Sequence, residues 1–98
     1  MTDKLIGLLG ICRRSGHLAI GCDAVTGWIQ HGKARAVVLT ADLSVKTEKE
    51  IRFTAEKHPT TLLRTALTKE QVGQALGMQK PVGVVATDDR GFAAAFEK

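Results

Sequence analysis

The 98-residue sequence lacks the signals of several protein classes. It has no apolar run approaching the ~20 residues of a membrane span. The start, from Met1 to Lys4, shows no basic leader with a small-residue cleavage site. Its two cysteines, Cys12 and Cys22, are too few to form a zinc site alone. These absences predict a cytoplasmic protein with free thiols and no membrane partner.

Common catalytic and cofactor motifs are also missing. No phosphate loop or dinucleotide fingerprint is present, since Gly7 and Gly10 lie inside a predicted helix and not after a strand. The three histidines show no metal-ligand spacing. Glu48 and Glu50 are two residues apart and point to different faces of their helix, so they do not form an acid/base pair for catalysis. We therefore expect no metal, no cofactor, no small-molecule substrate and no enzymatic activity.

The composition is that of a folded domain. Apolar residues make up 44% and charged residues 24% of the chain, which argues against wholesale disorder. A chain of this length buries roughly 60–70% of its unfolded surface on folding. Repeats, linkers and low-complexity segments are absent, so residues 1–98 are predicted to form one domain.

Positive charge is concentrated in the first third of the chain. Fourteen Lys and Arg residues against ten acids give a net charge of +4. Residues 11–36 contain four basic residues and a single acidic residue, Asp23. The basic residues are Arg13, Arg14, Lys33 and Arg35. Clustered basic residues suit a polyanion such as nucleic acid, whereas a merely solvated face is the alternative.

Apolar periodicity and capping residues predict alternating helices and strands. Helices are expected over residues 3–14, from 21 to 31, from 44 to 57, from 68 to 76 and after Asp88 or Asp89. Extended segments are expected at 18–20, 35–41, 61–65 and 82–86. The clearest local signal is a capping box of Thr68 and Gln71. Such alternation predicts a largely parallel sheet between two helical layers, a three-layer α/β/α sandwich.

Two segments are candidates for binding. Gly21 opens a helix, and free amides at a helix start bind anions. Asp23 there either caps its own helix or accepts hydrogen bonds from base amino groups. Cys22 is either a nucleophile activated by the helix dipole or a small residue that allows close approach of a ligand. Met78, in the loop over residues 78–81, either covers an unstacked base or fills the core.

Four segments of the chain carry a recognisable pattern: Leu8–Val25, Gly32–Asp42, Thr68–Gly77 and Val84–Ala93. In their order and spacing they resemble the kink-turn RNA-binding ribosomal protein superfamily, which includes the archaeal L-seven-Ae type. The resemblance is closest to its small bacterial YlxQ-type branch, and it covers nearly the whole chain.

The resemblance implies an α/β/α sandwich with a four-stranded mixed sheet. It also implies a non-enzymatic protein that binds structured RNA, such as ribosomal or kink-turn-like RNA, in a ribosome or ribonucleoprotein. In the family, the helix start equivalent to Gly21 contacts kinked RNA, and the loop equivalent to 78–81 covers an extruded nucleotide. The expected RNA-binding residues are Arg13, Arg14, Gly21, Cys22, Asp23, Ala24, Lys33, Met78, Gln79 and Lys80.

The chain departs from the archaeal pattern at the helix start. That pattern reads Gly-Thr-Asn-Glu-x-x-Lys, and its Asn, Glu and Lys are here Asp23, Ala24 and Gly27. The glutamate acceptor and the phosphate-binding lysine are therefore absent. One alternative is a protein-interaction member of the same fold that has lost kink-turn specificity, and another is a thiol enzyme that uses Cys22.

Overall fold

The computed structural model describes residues 2–97, which contain five helices and four strands in the predicted alternation. The helices are α1 (Thr2–Arg14), α2 (Cys22–Gln30), α3 (Val45–Lys57), α4 (Lys69–Ala75) and α5 (Arg90–Glu97). The strands are β1 (Leu18–Ile20), β2 (Ala36–Leu39), β3 (Thr61–Arg64) and β4 (Val84–Thr87). Met1 and Lys98, the ends of the predicted domain, lie outside the described residues.

Capping residues set the helix starts as the sequence predicts. The Ser44 hydroxyl accepts a hydrogen bond from the backbone amide of Thr47 at the start of α3. Thr68 and Gln71 form the full capping box at α4, with both reciprocal hydrogen bonds present. Of the two aspartates expected before α5, Asp89 accepts from a first-turn amide. These contacts satisfy amides that a helix start leaves without an intrahelical partner.

The sheet order is β1-β4-β2-β3, and the expectation of a largely parallel sheet is wrong. Only β2 and β3 are parallel, whereas β4 runs antiparallel to both β1 and β2. The reason lies in residues 78–83, which double back along α4 after that helix ends. The Met78 and Val82 amides donate to the carbonyls of Gly73 and Lys69, at 2.9 and 3.0 Å. As a result β4 enters from the sheet end that β3 has just left.

The two central strands, β2 and β4, are buried at every position, and helices cover both faces of the sheet. One core contains Leu9 of α1, Val72 of α4 and Phe96 of α5. The other contains Val25 of α2 and Ile51 of α3. The α/β/α sandwich around a four-stranded mixed sheet is therefore confirmed. Within residues 2–97, no helix is both long and apolar enough to cross a bilayer.

Candidate functional site

The start of α2 carries unpaired backbone amides. Gly21 adopts φ 94° and ψ 161°, a backbone conformation that is essentially restricted to glycine. Its own amide donates to the Val84 carbonyl at 3.0 Å, which joins the start of α2 to β4. No side chain caps this helix, and the amides of residues 22–24 find no partner within residues 2–97. Because α3, α4 and α5 all have side-chain caps, α2 is the helix among α2 to α5 whose start is left with free donors for an anion.

An open cleft of about 400 Å³ separates the start of α2 from the doubled-back segment. Gly21 and Cys22 line one side, and Met78 and Lys80 line the other. The structure thus brings together the helix start and the loop that the sequence analysis treated as separate candidates. Met78 also packs against the core beside α1 and α4, as the second of its predicted alternatives expects. Its contact with an unstacked base stays a prediction.

Close backbone packing holds the segment of residues 78–82 in place. A Cβ atom added at Gly73 would meet the Lys80 carbonyl oxygen far inside van der Waals contact, and would lie 3.2 Å from the Lys80 carbonyl carbon. Gly77, at φ 72°, provides the left-handed turn that reverses the chain after α4. The amide of Met78 is bonded to the Gly73 carbonyl. Both the absence of a side chain at Gly73 and these bonds fix the loop against the helix.

Lys69 is a cleft residue that the sequence analysis missed. Its backbone amide donates to the Asp42 carboxylate at 2.9 Å. Its stem lies beside Gly83, with Cε 3.4 Å from the position that a Cβ atom would occupy there. Lys69 and Lys80 thus both line the cleft, together with Gly21 and Cys22 at the start of α2. The sequence signal was the position of Lys69 directly after the capping residue Thr68, which pointed to a helix start and not to a ligand.

Arg13 and Arg14 do not line the cleft. The Arg13 guanidinium donates to the Leu76 carbonyl at the end of α4, where a cation also interacts favourably with the helix dipole. Arg14 folds back along α1, with Nη1 3.5 Å from the position of a Cβ atom at Gly10. Both side chains are exposed. Arg13 thus ties α1 to the residue that precedes the turn into the loop.

Lys33 lies at the other end of the sheet. Gly21 follows the end of β1, whereas Lys33 precedes Ala36, the residue of β2 that pairs with Thr87. The Lys33 ammonium stands over the Trp28 ring, 4.5 Å from its centroid, and 4.0 Å from the Asp88 carboxylate. The structure therefore does not bring Lys33 to the cleft with the other predicted residues.

Asp23 and Ala24 are exposed on the first turn of α2, beside the cleft. The Asp23 side chain makes no cap, so the interpretation that it caps its own helix is wrong. Gly27, one turn further on, has open space around the position of a Cβ atom. A Cβ atom can therefore be added at residue 27 without displacing a neighbour.

The two thiols lie on opposite faces of the sheet and are both reduced. Cys12 is fully buried and donates to the His17 carbonyl at 3.2 Å, and desolvation raises the pKa of its thiol. Cys22 has the Thr26 hydroxyl 3.9 Å away, and within residues 2–97 no histidine bonds to it. A thiol without an adjacent base is poorly equipped as a nucleophile. The part of the chain that the structure describes also contains no cluster of His, Cys, Asp and Glu able to hold a metal ion.

Comparison with known families identifies this arrangement. The sequence matches the Ribosomal protein L7Ae/L30e/S12e/Gadd45 family over residues 3–97. The chain belongs to this family. The resemblance inferred from the sequence motifs is thereby confirmed.

Relatives of this family member are similar over most of their length. It is 30% identical to the RNA-binding protein YlxQ of Bacillus subtilis (strain 168) over 86 residues, which cover 88% of this chain and 84% of that protein. A protein of unknown function from Bacillus halodurans superposes with a TM-score of 0.85 at 24% identity, covering 97% of this chain and 98% of the other. The 15.5kD RNA binding protein of Giardia lamblia superposes with a TM-score of 0.82 at 15% identity, covering 98% and 81%. These two structures share the fold.

Proposed function

We propose that this family member binds structured RNA and has no catalytic role. The observation that carries the proposal is the cleft lined by Lys69, Lys80 and the start of α2, a helix without a side-chain cap. Amides at a helix start and lysine ammonium groups both bind phosphate oxygens. The Bacillus subtilis and Giardia lamblia proteins are both named as RNA-binding proteins, which supports the same conclusion.

The proposed RNA is a ribosomal or ribonucleoprotein RNA with an irregular, kinked helix. A regular A-form duplex presents its phosphates on a convex surface, whereas the cleft is a concave surface bounded on one side by Met78, Lys80 and Pro81 of the loop. A kinked RNA can insert a backbone turn between the loop and the start of α2. Since Ala24 and Gly27 supply neither an acceptor nor a cation, we expect only a modest preference for a kink-turn over a duplex.

An electrophoretic mobility shift titration tests this function. The wild-type protein is expected to shift a kink-turn RNA and, more weakly, an RNA duplex of equal length. Replacing both cleft lysines, Lys69→Gln with Lys80→Gln, should weaken binding about tenfold, or about 1.4 kcal/mol. It should also lower the log–log salt slope by roughly 0.7–0.9 for each lost phosphate contact.

A matched variant controls for net charge in that titration. Lys49→Gln with Lys57→Gln removes two exposed lysines from α3, outside the cleft. This control should retain most of the affinity and the salt slope. Equal losses of RNA affinity in the two double variants would contradict RNA binding at the cleft. A wild-type protein that shifts no RNA would contradict RNA binding altogether. The latter result would favour the protein-interaction alternative.

The basic end of α1 gives a second test. Arg13→Ala with Arg14→Ala should weaken binding to all structured RNAs by about the same factor, since phosphate contacts carry no sequence information. The salt slope should become shallower by roughly 0.7–0.9 per contact. Because Arg13 also bonds the end of α4, the double variant should unfold about 1 kcal/mol more easily. An unchanged slope would remove both arginines from the RNA-binding surface.

A further inference from the structure

β3 is an edge strand, and no other strand of residues 2–97 pairs with its outer side. Its backbone groups alternate in direction along the strand. The amides of Thr61 and Thr65 donate to carbonyls at either end of β2, at 3.4 and 3.0 Å. The backbone amides and carbonyls of Leu62 and Arg64 therefore point outwards. Such a row of unpaired donors and acceptors is a template for another strand.

A groove of about 230 Å³ lies between this edge and α3. Thr60 and Leu62 form its strand side, and Ala55 and Glu56 belong to its helix side. Leu62 is only partly buried against the core beneath α2 and α3, and the rest of its apolar surface lines the groove. A strand added at this edge would bury that surface.

The charged side chains of this edge are divided along its length. At the carboxyl end of β3, Arg64 and Arg52 share the Glu48 carboxylate, at 3.3 and 3.0 Å, so these three side chains carry one net positive charge. At the amino end, Glu56 lines the groove beside Thr60. No basic side chain of residues 2–97 forms an ion pair with Glu56. The edge is thus positive at one end and negative at the other.

A second copy of the same edge matches this pattern. When two copies of β3 pair antiparallel about a two-fold axis at Leu62, that residue lies opposite its own counterpart. Thr60 of each copy then lies opposite Arg64 of the other. The two leucines cover each other, and the positive cluster at Arg64 lies beside Glu56 of the other copy. The symmetry forms this contact between opposite charges twice.

We propose that the outer edge of β3 binds a second copy of this chain, which pairs antiparallel to it and joins the two four-stranded sheets into one. A single strand pair is a small interface, so the dimer is weak, with a Kd on the order of 100 μM. Antiparallel pairing turns the two clefts towards opposite ends of the joined sheet and leaves both open. The interaction is additional to RNA binding and does not depend on it.

Sedimentation equilibrium of the full chain without RNA tests the pairing. The wild type should be mostly monomeric at about 10 μM and mostly dimeric near 1 mM. Arg64→Glu and Glu56→Arg should each weaken the dimer about tenfold, because like charges then face each other between the copies. Combining both changes should restore the affinity to within about threefold, since the charges are again opposite. Glu50→Arg, a matched change on α3 outside the groove, should leave the dimer unaffected.

Nuclear magnetic resonance of mixed labelled and unlabelled protein tests the register. Intermolecular nuclear Overhauser effects should join the Cα protons of Thr61 and Leu63 from different copies, because these residues lie opposite each other when Leu62 is on the axis. A dimer insensitive to the charge reversals, or intermolecular effects from other elements, would overturn the proposal. A chain that stays monomeric at the highest concentration would also overturn it and would leave the edge open to an extended segment of another protein. Failure to shift RNA would contradict the RNA function alone, because this experiment contains no RNA.

Discussion

Gly73→Ala is expected to destabilise the protein by about 3 kcal/mol, near the upper end of the cost of overpacking. The new methyl group would collide with the Lys80 carbonyl, and neither backbone can withdraw easily. The doubled-back segment is bonded to α4 on both sides of the collision, through the Met78 and Val82 amides. Denaturant unfolding measures the loss of stability. RNA affinity should fall as well, because Met78 and Lys80 belong to this segment and line the cleft. A displaced segment would move both side chains out of place.

Gly27→Ala provides the matched control for that variant. Gly27 is also a helix-interior glycine, but a Cβ atom there has open space. Alanine should therefore stabilise the protein by up to ~1 kcal/mol through helix propensity alone. The two substitutions are chemically identical, so their opposite signs isolate the contact between α4 and the loop. A Gly73→Ala protein as stable as wild type would show that the segment moves freely away from α4.

Restoring the archaeal pattern at α2 is expected to raise the preference for a kink-turn over a duplex about tenfold, or about 1.4 kcal/mol. The variant combines Asp23→Asn, Ala24→Glu and Gly27→Lys. Both first-turn positions are exposed, and a Cβ atom at residue 27 meets no neighbour within 4 Å. The glutamate would supply an acceptor for guanine edges, and the lysine would supply a cation one turn from the free amides.

Competition binding with the two RNAs measures that change. The triple variant raises the net charge by one, so Glu50→Gln on α3 is the charge-matched control and should leave the preference unchanged. A wild type that already discriminates strongly, with no gain from the triple variant, would contradict recognition through α2. The loop residues Met78, Gln79 and Lys80 would then be the first to test.

Elements whose signals are local were predictable from the sequence. The capping box at Thr68 and the cap at Ser44 each operate within four residues, and the structure has both. The strand order was not predictable, because it depends on how residues 78–83 pack beside α4. That packing requires a contact between Gly73 and Lys80, and a glycine inside a helix gives no sign of what approaches it.

In the candidate site, too, residues with a local sequence signal were predictable, whereas residues placed there by packing were not. Gly21 was recognisable because a glycine after an extended segment precedes a helix, and the loop over residues 78–81 because it follows a helix stop. Lys69 was not recognisable, because its position directly after the capping residue Thr68 marks it only as the first residue of a helix. Lys33 was included among the expected RNA-binding residues because it lies in a basic stretch of sequence. Charge counted along the chain carries no information about which end of a sheet a residue occupies.

The central place of β4 has a consequence for synthesis of the protein. The strand that separates β1 from β2 is the last of the four to leave the ribosome, since it ends at Thr87. Until then β1 has no neighbour in the sheet, and one edge of β2 is open. The nascent chain therefore carries its apolar β2, which includes Val37 and Val38, with an unpaired edge until β4 has been synthesised. Unpaired strand edges promote aggregation, so the apolar edge of β2 is an aggregation hazard until residues 84–87 are available to cover it.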